Sequence, residues 1–273
     1  MAVEPIETRF PRPSVMGVVN VTPDSFSDGG VNYRAEDAIA SARRMVDEGA
    51  AIVDLGGEST RPGSKAVSVD EELRRVVPVL EGVQGLPISI DTSKAEVARQ
   101  AVELGAELVN DVTALRSDPE LAGVVADAGT YLCLMHMQGE PRTMQLAPRY
   151  DDVVADVASF LEERLAFAVA AGIPEERACL DPGIGFGKTV EQNFELVRRL
   201  DELVALGRPV LIGFSRKSSL GRILGDPAAT TGPLAASLSV AVAAYERGAT
   251  ILRVHDVREH VEALAAARAV AAR

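Results

Sequence analysis

The chain has 273 residues, of which 47% are hydrophobic and 25% charged. A chain of this size and composition buries a large apolar core, which excludes an intrinsically disordered protein. Its 40 acidic and 28 basic side chains give a net charge of -12. An acidic chain without a basic patch repels a phosphate backbone, so nucleic acid is not an expected partner.

The cysteines and the hydropathy pattern bear on where the protein works. Cys133 and Cys179 each lie inside an apolar run, which indicates core thiols in a reducing compartment. The first 14 residues contain no apolar stretch typical of a signal peptide, and the longest weakly polar run, 234–245, is too short to span a bilayer. We therefore expect a cytoplasmic protein with no membrane partner.

One pattern recurs along the chain: an amphipathic segment ends in glycine, and a short apolar run follows and ends at a polar residue. Glycine is typical of the position after a helix, and continuous Val, Ile and Leu runs are typical of parallel strands buried on both faces. The pattern predicts eight strands, which in chain order are VMGVVN near residue 15, AAIVD after Gly49, ISID at 88, AELVND after Gly105, TYLCLM after Gly129, ACLD at 178, RPVLIG after Gly207 and ATILRVHD after Gly248.

Helices are expected between these strands and over 257–271 at the end. In one of them, Asp151 is expected to cap the start and Gly172 to follow the end. The apolar face of this helix is predicted to contain Val154, Val157, Leu161, Leu165 and Ala168.

Eight βα units in a chain of this length predict the α/β class and a closed (β/α)8 TIM barrel. We expect one domain over 1–273, with 1–13 as an N-terminal extension. The alternative of an open dinucleotide-binding sheet is disfavoured because the first strand is followed by NVTPDSFSDGG, which lacks the G-x-G-x-x-G fingerprint.

Polar residues end all eight predicted strands, and in a barrel this is the end where chemistry takes place. A single such residue more often caps a helix or closes a turn, and this interpretation stays open for Asp256. Eight polar ends on one face favour a ligand site. The residues are Asn20, Asp54, Asp91, Asn110, Asp111, His136, Asp181, Ser215, Arg216, Lys217, Arg253, His255 and Asp256.

Three loops have a composition that bears on their chemistry. Segments 20–30 and 56–64 are Gly-rich and polar, which is typical either of lids over a site or of ordinary surface loops. Segment 181–189, DPGIGFGKT, resembles a phosphate-binding loop, but Pro182 occupies the place of the first glycine, so a Walker A motif is not expected.

The basic residues are expected to bind an anion. Segment 215–218 begins the helix after the seventh strand, and Arg253 and His255 follow the eighth, where barrels often bind phosphate. Opposite them, the carboxylates of Asp91 and Asp181 and the amide of Asn110 can hold a flat polar ring by its edge.

Asn20 is a candidate ligand of Mg²⁺, because this ion binds with few protein ligands. His260 is expected to be a surface side chain.

Several long motifs, in order and over about residues 14–270, closely resemble the dihydropteroate synthase family of pterin-binding barrels. They are MGVVNVTPDSFSDGG, DLGGESTRPGS, SIDTSKAEVA, LVNDV, LMHMQG, LDPGIGFGKT, GFSRKSSLG and RVHDV. The resemblance implies a folate-pathway transferase that joins 6-hydroxymethyl-7,8-dihydropterin diphosphate to 4-aminobenzoate and releases diphosphate and 7,8-dihydropteroate. It also implies Mg²⁺ as cofactor and a homodimer formed through the late helices, where run 235–244 is rich in alanine.

Residue by residue, the resemblance implies four sets of roles. The pterin diphosphate is bound by Thr60, Asp91, Asn110, Met135, Asp181, Lys217, Arg253 and His255. The 4-aminobenzoate is bound by Thr60, Arg61, Pro62, Phe186, Lys217 and Ser218. The catalytic residues are Asp28, Arg61, Asp91, Asp181 and Lys217, and the metal ligand is Asn20.

A mechanism follows from these roles. Metal-bound diphosphate is a good leaving group, and buried carboxylates can stabilise the positive charge that its departure leaves on the pterin methylene. The arylamine then attacks. Two alternatives stay open: a methyltetrahydrofolate:corrinoid methyltransferase on the same barrel, and a catalytically silent relative that binds pterin.

Overall fold

A computed structural model describes residues 4–22, 35–60, 63–140 and 142–271. Within these ranges the chain alternates between strands and helices. The strands are β1 Ser14–Asn20, β2 Ile52–Gly56, β3 Ile88–Asp91, β4 Leu108–Asp111, β5 Tyr131–Met135, β6 Ala178–Asp181, β7 Leu211–Ile212 and β8 Ile251–Val254. All eight predicted strands are confirmed.

The helices surround the sheet, and a short 3-10 turn, Glu175–Arg177, precedes β6. None of the helices in the described ranges is long and apolar enough to cross a membrane. The helices are α1 Ile6–Arg9, α2 Ala35–Asp47, α3 Val69–Gly82, α4 Ala95–Glu103, α5 Leu121–Ala128, α6 Val153–Ala170, α7 Val190–Arg198, α8 Leu200–Val204, α9 Ser218–Ile223, α10 Leu234–Glu246 and α11 Val257–Ala271.

The strands form one parallel sheet in the order β6-β5-β4-β3-β2-β1-β8-β7. A bridge between Leu180 and Val210 brings the two outermost strands, β6 and β7, together and closes the sheet into a barrel. The TIM-barrel prediction is therefore confirmed. The register aligns the ends of neighbouring strands, with Asp91 beside Asn110 and Asn20 beside Gly56, so polar residues of consecutive strands meet at one rim.

The opposite end of the barrel, its floor, is closed by the segment before β1. Ile6 and Phe10 are fully buried and pack with Met16, Ile52 and Tyr131 inside the barrel. The Phe10 and Tyr131 rings meet edge to face at 5.7 Å between centroids. Two residues of the predicted N-terminal extension, Ile6 and Phe10, thus belong to the core at the floor, and the rim is left as the face open to ligands.

The expected helix with one apolar face is α6, and all five of its predicted apolar positions are buried. Its cap is Asp152 and not Asp151, because the Asp152 carboxylate accepts hydrogen bonds from the amides of Val154 and Ala155. Gly172 follows the helix with a φ of +94°, as expected of a glycine at a helix end.

Two further expectations concern burial. Cys133 and Cys179 are buried thiols on neighbouring strands, as predicted. The prediction that His260 is a surface residue is wrong, because His260 is fully buried. It lies on the same face of α11 as Val257 and Leu264, and its Nδ1 is 2.6 Å from the carbonyl oxygen of Asp256, one turn earlier.

Candidate active site

Asp54 lies at the centre of a hydrogen-bond network beneath the rim. Its Oδ1 accepts from the Ser89 hydroxyl at 2.6 Å, and its Oδ2 accepts from Asn110 Nδ2 at 2.9 Å and Arg253 Nε at 2.7 Å. It was expected at a strand end, but β2 continues to Gly56. Asp54 is therefore fully buried and joins β2, β3, β4 and β8 from inside the barrel.

Asp91 ends β3 and shares Arg253 with Asp54, since Arg253 Nη2 donates to Asp91 Oδ2 at 2.9 Å. Burial raises the pKa of Asp91 above its ordinary value, against the opposing charge of Arg253 and with the repulsion of Asp54. Conversely, both carboxylates raise the pKa of Arg253. Burial thus disfavours the charged form of Asp91, and its carboxyl group is placed at the rim, where it can form a hydrogen bond with a ligand.

Asn110 is fixed at only one end of its amide. Its Nδ2 donates to Asp54, while its buried Oδ1 has no hydrogen-bond partner among the described residues. A buried acceptor without a partner costs free energy, and such atoms in native proteins call for an explanation. A ligand with an N–H donor would supply the missing hydrogen bond.

Asp181 ends β6 and is oriented by its own loop. Its Oδ1 accepts from the Gly183 amide at 2.7 Å. Burial raises the pKa of Asp181 to about 6, although the Gly183 amide and the charges of Lys217 and Arg253 act in the opposite direction. Asp181 is the second buried carboxyl group at the rim with a raised pKa, and such groups cluster at functional sites.

Phe186 and Lys217 form the side of the site between the sixth and seventh strands. The Lys217 Nζ lies 4.4 Å from the centre of the Phe186 ring, within the range of a cation–π contact. Phe186 also packs against an apolar cluster that contains Met135, as well as Val112, Met137 and Met144. The last three were not among the predicted site residues, since a lone apolar side chain in a loop carries no distinctive pattern.

Segment 215–218 was expected to bind an anion as a unit, but its side chains point to different partners. Arg216 is not part of an anion site here, because its guanidinium forms a two-pronged ion pair with Asp256, at 3.0 and 2.5 Å. Asp256 is therefore an ion-pair partner and more than a helix cap. Arg216 has a φ of +57°, a left-handed conformation that turns it away from its neighbour Lys217.

His255 is held as a neutral imidazole. Its Nδ1 lies 3.2 Å from the Ser215 hydroxyl, whose oxygen also accepts the His255 amide. Burial, reinforced by Arg253, Arg216 and Lys217, lowers the pKa of His255 to about 3. At neutral pH it can serve an anionic ligand as a hydrogen-bond donor, while the positive charge comes from Arg253 and Lys217.

The remaining predicted residues occupy different places. Asn20 is the half-buried last residue of β1, Thr60 lies in the loop after β2, and Ser218 is the first residue of α9. Asp111 closes a turn by accepting from the Thr113 and Leu115 amides, so it has a structural part. Asp28, Arg61 and Pro62 lie outside the described residues.

Two lysines, the half-buried Lys94 and the buried Lys188, were missed by reasoning from the sequence. Lys94 contacts both Glu58 and Glu72, which form with it the Lys94 cluster; Glu58 also accepts the Val67 amide at 3.3 Å. Glu58 and Val67 lie on either side of Thr60 in the loop after β2. The cluster therefore connects this loop to Glu72 in α3 and to Lys94 at the start of α4. Nothing in the local sequence distinguishes these charges from surface charges.

The second is Lys188, at the end of the DPGIGFGKT segment. It is buried, and its Nζ contacts Nδ1 of His136 and donates to the carbonyl oxygens of Gly183 and Phe186. His136, on the list of strand-end residues, is one of its partners, and burial lowers the pKa of His136 to about 2.

Known proteins resemble this chain over nearly its whole length. The pterin binding enzyme family matches residues 16–255, a range that includes the rim from Asn20 to His255. The dihydropteroate synthase of Escherichia coli (strain K12) is 49% identical over 258 residues, covering 92% of this chain and 89% of that protein.

Solved structures give the same picture. Xanthomonas albilineans dihydropteroate synthase with 4-aminobenzoic acid superposes with a TM-score of 0.88 at 49% identity, covering 97% of this chain and 95% of the other. The Xanthomonas albilineans enzyme in complex with 7,8-dihydropteroate superposes with a TM-score of 0.84 at 46% identity, with the same coverage.

Proposed function

We infer that this chain, which belongs to the pterin-binding enzyme family and within it to the dihydropteroate synthases, is a transferase of folate biosynthesis. It condenses 6-hydroxymethyl-7,8-dihydropterin diphosphate with 4-aminobenzoate and releases 7,8-dihydropteroate and diphosphate. The ligands of the related structures, 4-aminobenzoic acid and 7,8-dihydropteroate, are one substrate and the product of this reaction.

The single observation that carries the assignment of the pterin site is the unpartnered Oδ1 of Asn110. A pterin ring has an edge of alternating N–H donors and acceptors, and it can donate to this oxygen while pairing with the carboxyl groups of Asp91 and Asp181. We assign the ring to these three residues and Lys217, with Thr60 and the buried Met135 as further contacts.

The two carboxyl groups also have a part in the chemical step. When diphosphate leaves, positive charge develops on the pterin methylene and spreads into the ring. The nearby carboxylates stabilise this charge without having to move, because Gly183 already orients Asp181 and Arg253 already orients Asp91. The weakly nucleophilic arylamine of 4-aminobenzoate then attacks the methylene, forming the C–N bond, and its proton passes to the released diphosphate or to water.

Arg253 and His255 are proposed to hold the diphosphate. The Arg253 guanidinium is positioned by two carboxylates, and neutral His255 adds a donor beside it. The 4-aminobenzoate is proposed to lie near Phe186, Lys217 and Ser218, with Thr60, Arg61 and Pro62 from the loop after β2. Asp28 and Arg61 are proposed to act from the two loops as catalytic residues.

Mg²⁺ is proposed as cofactor, with Asn20 as its protein ligand. The described residues contain no group of three His, Cys, Asp or Glu side chains able to hold a metal. The donor set at the end of β1 fits an ion that takes one amide oxygen and completes its shell with water and phosphate oxygens, as Mg²⁺ commonly does. When bound, it would neutralise charge on the leaving diphosphate.

A homodimer and a cytoplasmic location are also proposed. Ile223 and Leu224 at the end of α9, and Leu234 at the start of the Ala-rich α10, are exposed apolar residues that a second copy would cover. Sedimentation of the purified protein tests the dimer: a dissociation constant in the micromolar range or below is expected, whereas a monomer at all concentrations contradicts it.

The activity is tested with purified protein, Mg²⁺ and both substrates. Diphosphate release that requires 4-aminobenzoate supports the synthase, and pterin binding without product supports the silent relative. Methyl transfer from methyltetrahydrofolate to a corrinoid would support the methyltransferase.

Asp91→Asn is expected to lower turnover at least tenfold, which corresponds to a rise in activation free energy of about 1.4 kcal/mol. Turnover within about threefold of the parent would contradict the electrostatic role of Asp91.

A further inference from the structure

Lys188, in the loop between β6 and α7, has no part in the chemistry described above, yet it is one of the most buried charged residues of the described chain. Its side chain is 2% exposed. Its Nζ lies 2.9 Å from Nδ1 of His136 and donates to the carbonyl oxygens of Gly183 and Phe186, both at 3.0 Å. Lysine is almost never buried unless it is paired, so this position calls for a reason.

The partners of Lys188 belong to two loops. His136 follows β5, while Gly183 and Phe186 follow β6. The pKa of the imidazole is lowered by burial and by Lys188, so His136 is neutral and its Nδ1 can accept a hydrogen bond. The His136 carbonyl oxygen, at 3.5 Å, is a fourth and longer contact, so four acceptors from these two loops surround the Lys188 Nζ. Lys188 therefore ties the two loops together by hydrogen bonds and has no carboxylate partner among those bonds.

The two loops are also in direct steric contact. A Cβ built on Gly183 would overlap the carbonyl oxygen of His136, and one built on Gly187 would lie 2.5 Å from the carbonyl oxygen of Gln138. Both glycines have a positive φ, +69° and +66°, a backbone conformation that favours glycine. The backbone of this loop therefore encloses the Lys188 side chain and packs tightly against the loop after β5.

This loop carries Phe186 into the site. The carbonyl of Phe186 is bound by Lys188, while its ring lies 4.4 Å from Nζ of Lys217 on the ligand side. Further support comes from Asn193, whose Oδ1 accepts the Gly185 amide, and from Tyr150, whose hydroxyl donates to the Gly187 carbonyl at 2.7 Å. Asn193 and Tyr150 thus bind the residues on either side of Phe186, whereas Lys188 binds the backbone carbonyl of Phe186 itself.

We propose that Lys188 is a positioning residue for 4-aminobenzoate, which acts by holding the backbone at Phe186 so that the ring meets Lys217 and the substrate. Lys188 touches neither substrate. The proposal rests on the synthase function proposed above. If the parent protein forms no dihydropteroate, that function fails; if the parent is active, the variants below test whether hydrogen bonds to this loop position Phe186 for 4-aminobenzoate.

The first test is a double-mutant cycle with Lys188→Met and Phe186→Ala. We expect Lys188→Met to lower kcat/KM for 4-aminobenzoate at least tenfold, mainly through KM, while the dissociation constant of the pterin diphosphate changes less than threefold. In the Phe186→Ala background, Lys188→Met should lower kcat/KM less than threefold, since the ring that it positions is gone. Effects that multiply in full, or an equal loss of pterin binding, would overturn the proposal.

If Lys188→Met does not fold, a milder variant tests whether hydrogen bonds to this loop position Phe186 for 4-aminobenzoate. Tyr150→Phe removes one hydrogen bond to the same loop, at Gly187, and leaves the aromatic ring in place. The matched control is Tyr131→Phe at the barrel floor, where the hydroxyl donates to the Glu4 carbonyl at 3.2 Å. We expect Tyr150→Phe to raise KM for 4-aminobenzoate about threefold and Tyr131→Phe to leave it unchanged. Equal KM values in both variants and the parent would overturn the proposal.

Discussion

Arg253 donates from Nε to Asp54 at 2.7 Å, although the two residues are 199 positions apart in the sequence. Asp54 is fully buried, and the same guanidinium reaches Asp91 at 2.9 Å. The ion pair thereby fixes the distance between the second, third and eighth strands and presents an arginine at the rim. This arrangement depends on the negative charge of the Asp54 side chain and on both of its oxygens, each of which accepts a hydrogen bond.

Asp54→Asn is expected to destabilise the protein by about 3 to 5 kcal/mol, because it leaves the Arg253 charge with a weaker buried partner and disrupts the bonds to Ser89 and Asn110. Urea unfolding of the free enzyme measures the change. Glu96→Gln is the control, since Glu96 pairs with Arg99 at the exposed surface and its removal should change stability little. Similar effects of the two variants would show that burial does not strengthen the Asp54 pair.

Asp181→Asn is expected to gain stability relative to the parent as the pH rises. The folded-state pKa of about 6 lies above the unfolded value of 3.8, so the native state binds more protons between these pH values and loses stability as the proton leaves. The asparagine has no charge to desolvate and still accepts from Gly183.

The difference between the two unfolding free energies should grow by about 2 kcal/mol from pH 4.5 to pH 8, at about 1.4 kcal/mol for each unit of pKa difference. Asp127→Asn, on the exposed face of α5, is the control and should follow the pH dependence of the parent. If Asp181→Asn also runs parallel to the parent, Asp181 is not destabilised by burial.

Lys94→Met is expected to cost about 3 kcal/mol, since it leaves the buried Glu72 without its cationic partner. Glu72→Met added to Lys94→Met should recover part of this loss, because the buried Glu72 charge is then absent together with its partner. Thermal unfolding of the parent, the single variant and the double variant gives the comparison. A double variant less stable than the single one would show that Glu72 has another partner that matters more.

Gly183→Ala is expected to be more harmful than Gly85→Ala, although both glycines have a positive φ, +69° and +85°. A methyl group at position 85 meets nothing within 4 Å, so its cost is the backbone strain of about 1 kcal/mol. At position 183 it overlaps the His136 carbonyl, and we expect at least about 2 kcal/mol more. Chemical denaturation of both variants tests this, and equal losses would mean that the loop can shift at little cost.

The fold was predictable from the sequence because each strand of a barrel is a local pattern. The run ISID, for example, ends at a polar residue, and the period of the repeat gives the number of strands. The register of that strand also places Asp91 beside Asn110, so the polar rim could be expected from the same pattern. The cap of α6 was missed by one residue because Asp151 and Asp152 have the same chemistry.

What the sequence does not contain is the direction in which a side chain points once its neighbours are in place. Arg216 and Lys217 are adjacent basic residues, yet one pairs with Asp256 and the other reaches Phe186. His260 was misjudged and Lys188 was missed. The partner of His260 and two partners of Lys188 are backbone carbonyls, and such partners leave no trace in the residue types.

The two cysteines have a practical consequence. Cys133 and Cys179 are fully buried side by side, so neither sulfur is accessible to a reagent in solvent, and the pKa of Cys133 is raised by its contact with Cys179 and by burial. They are the only cysteines of the chain. A cysteine introduced at Leu146, which is 82% exposed, would therefore react alone with a maleimide probe. Fluorescence from that one position could follow the loop after β5 during turnover in an otherwise unmodified protein.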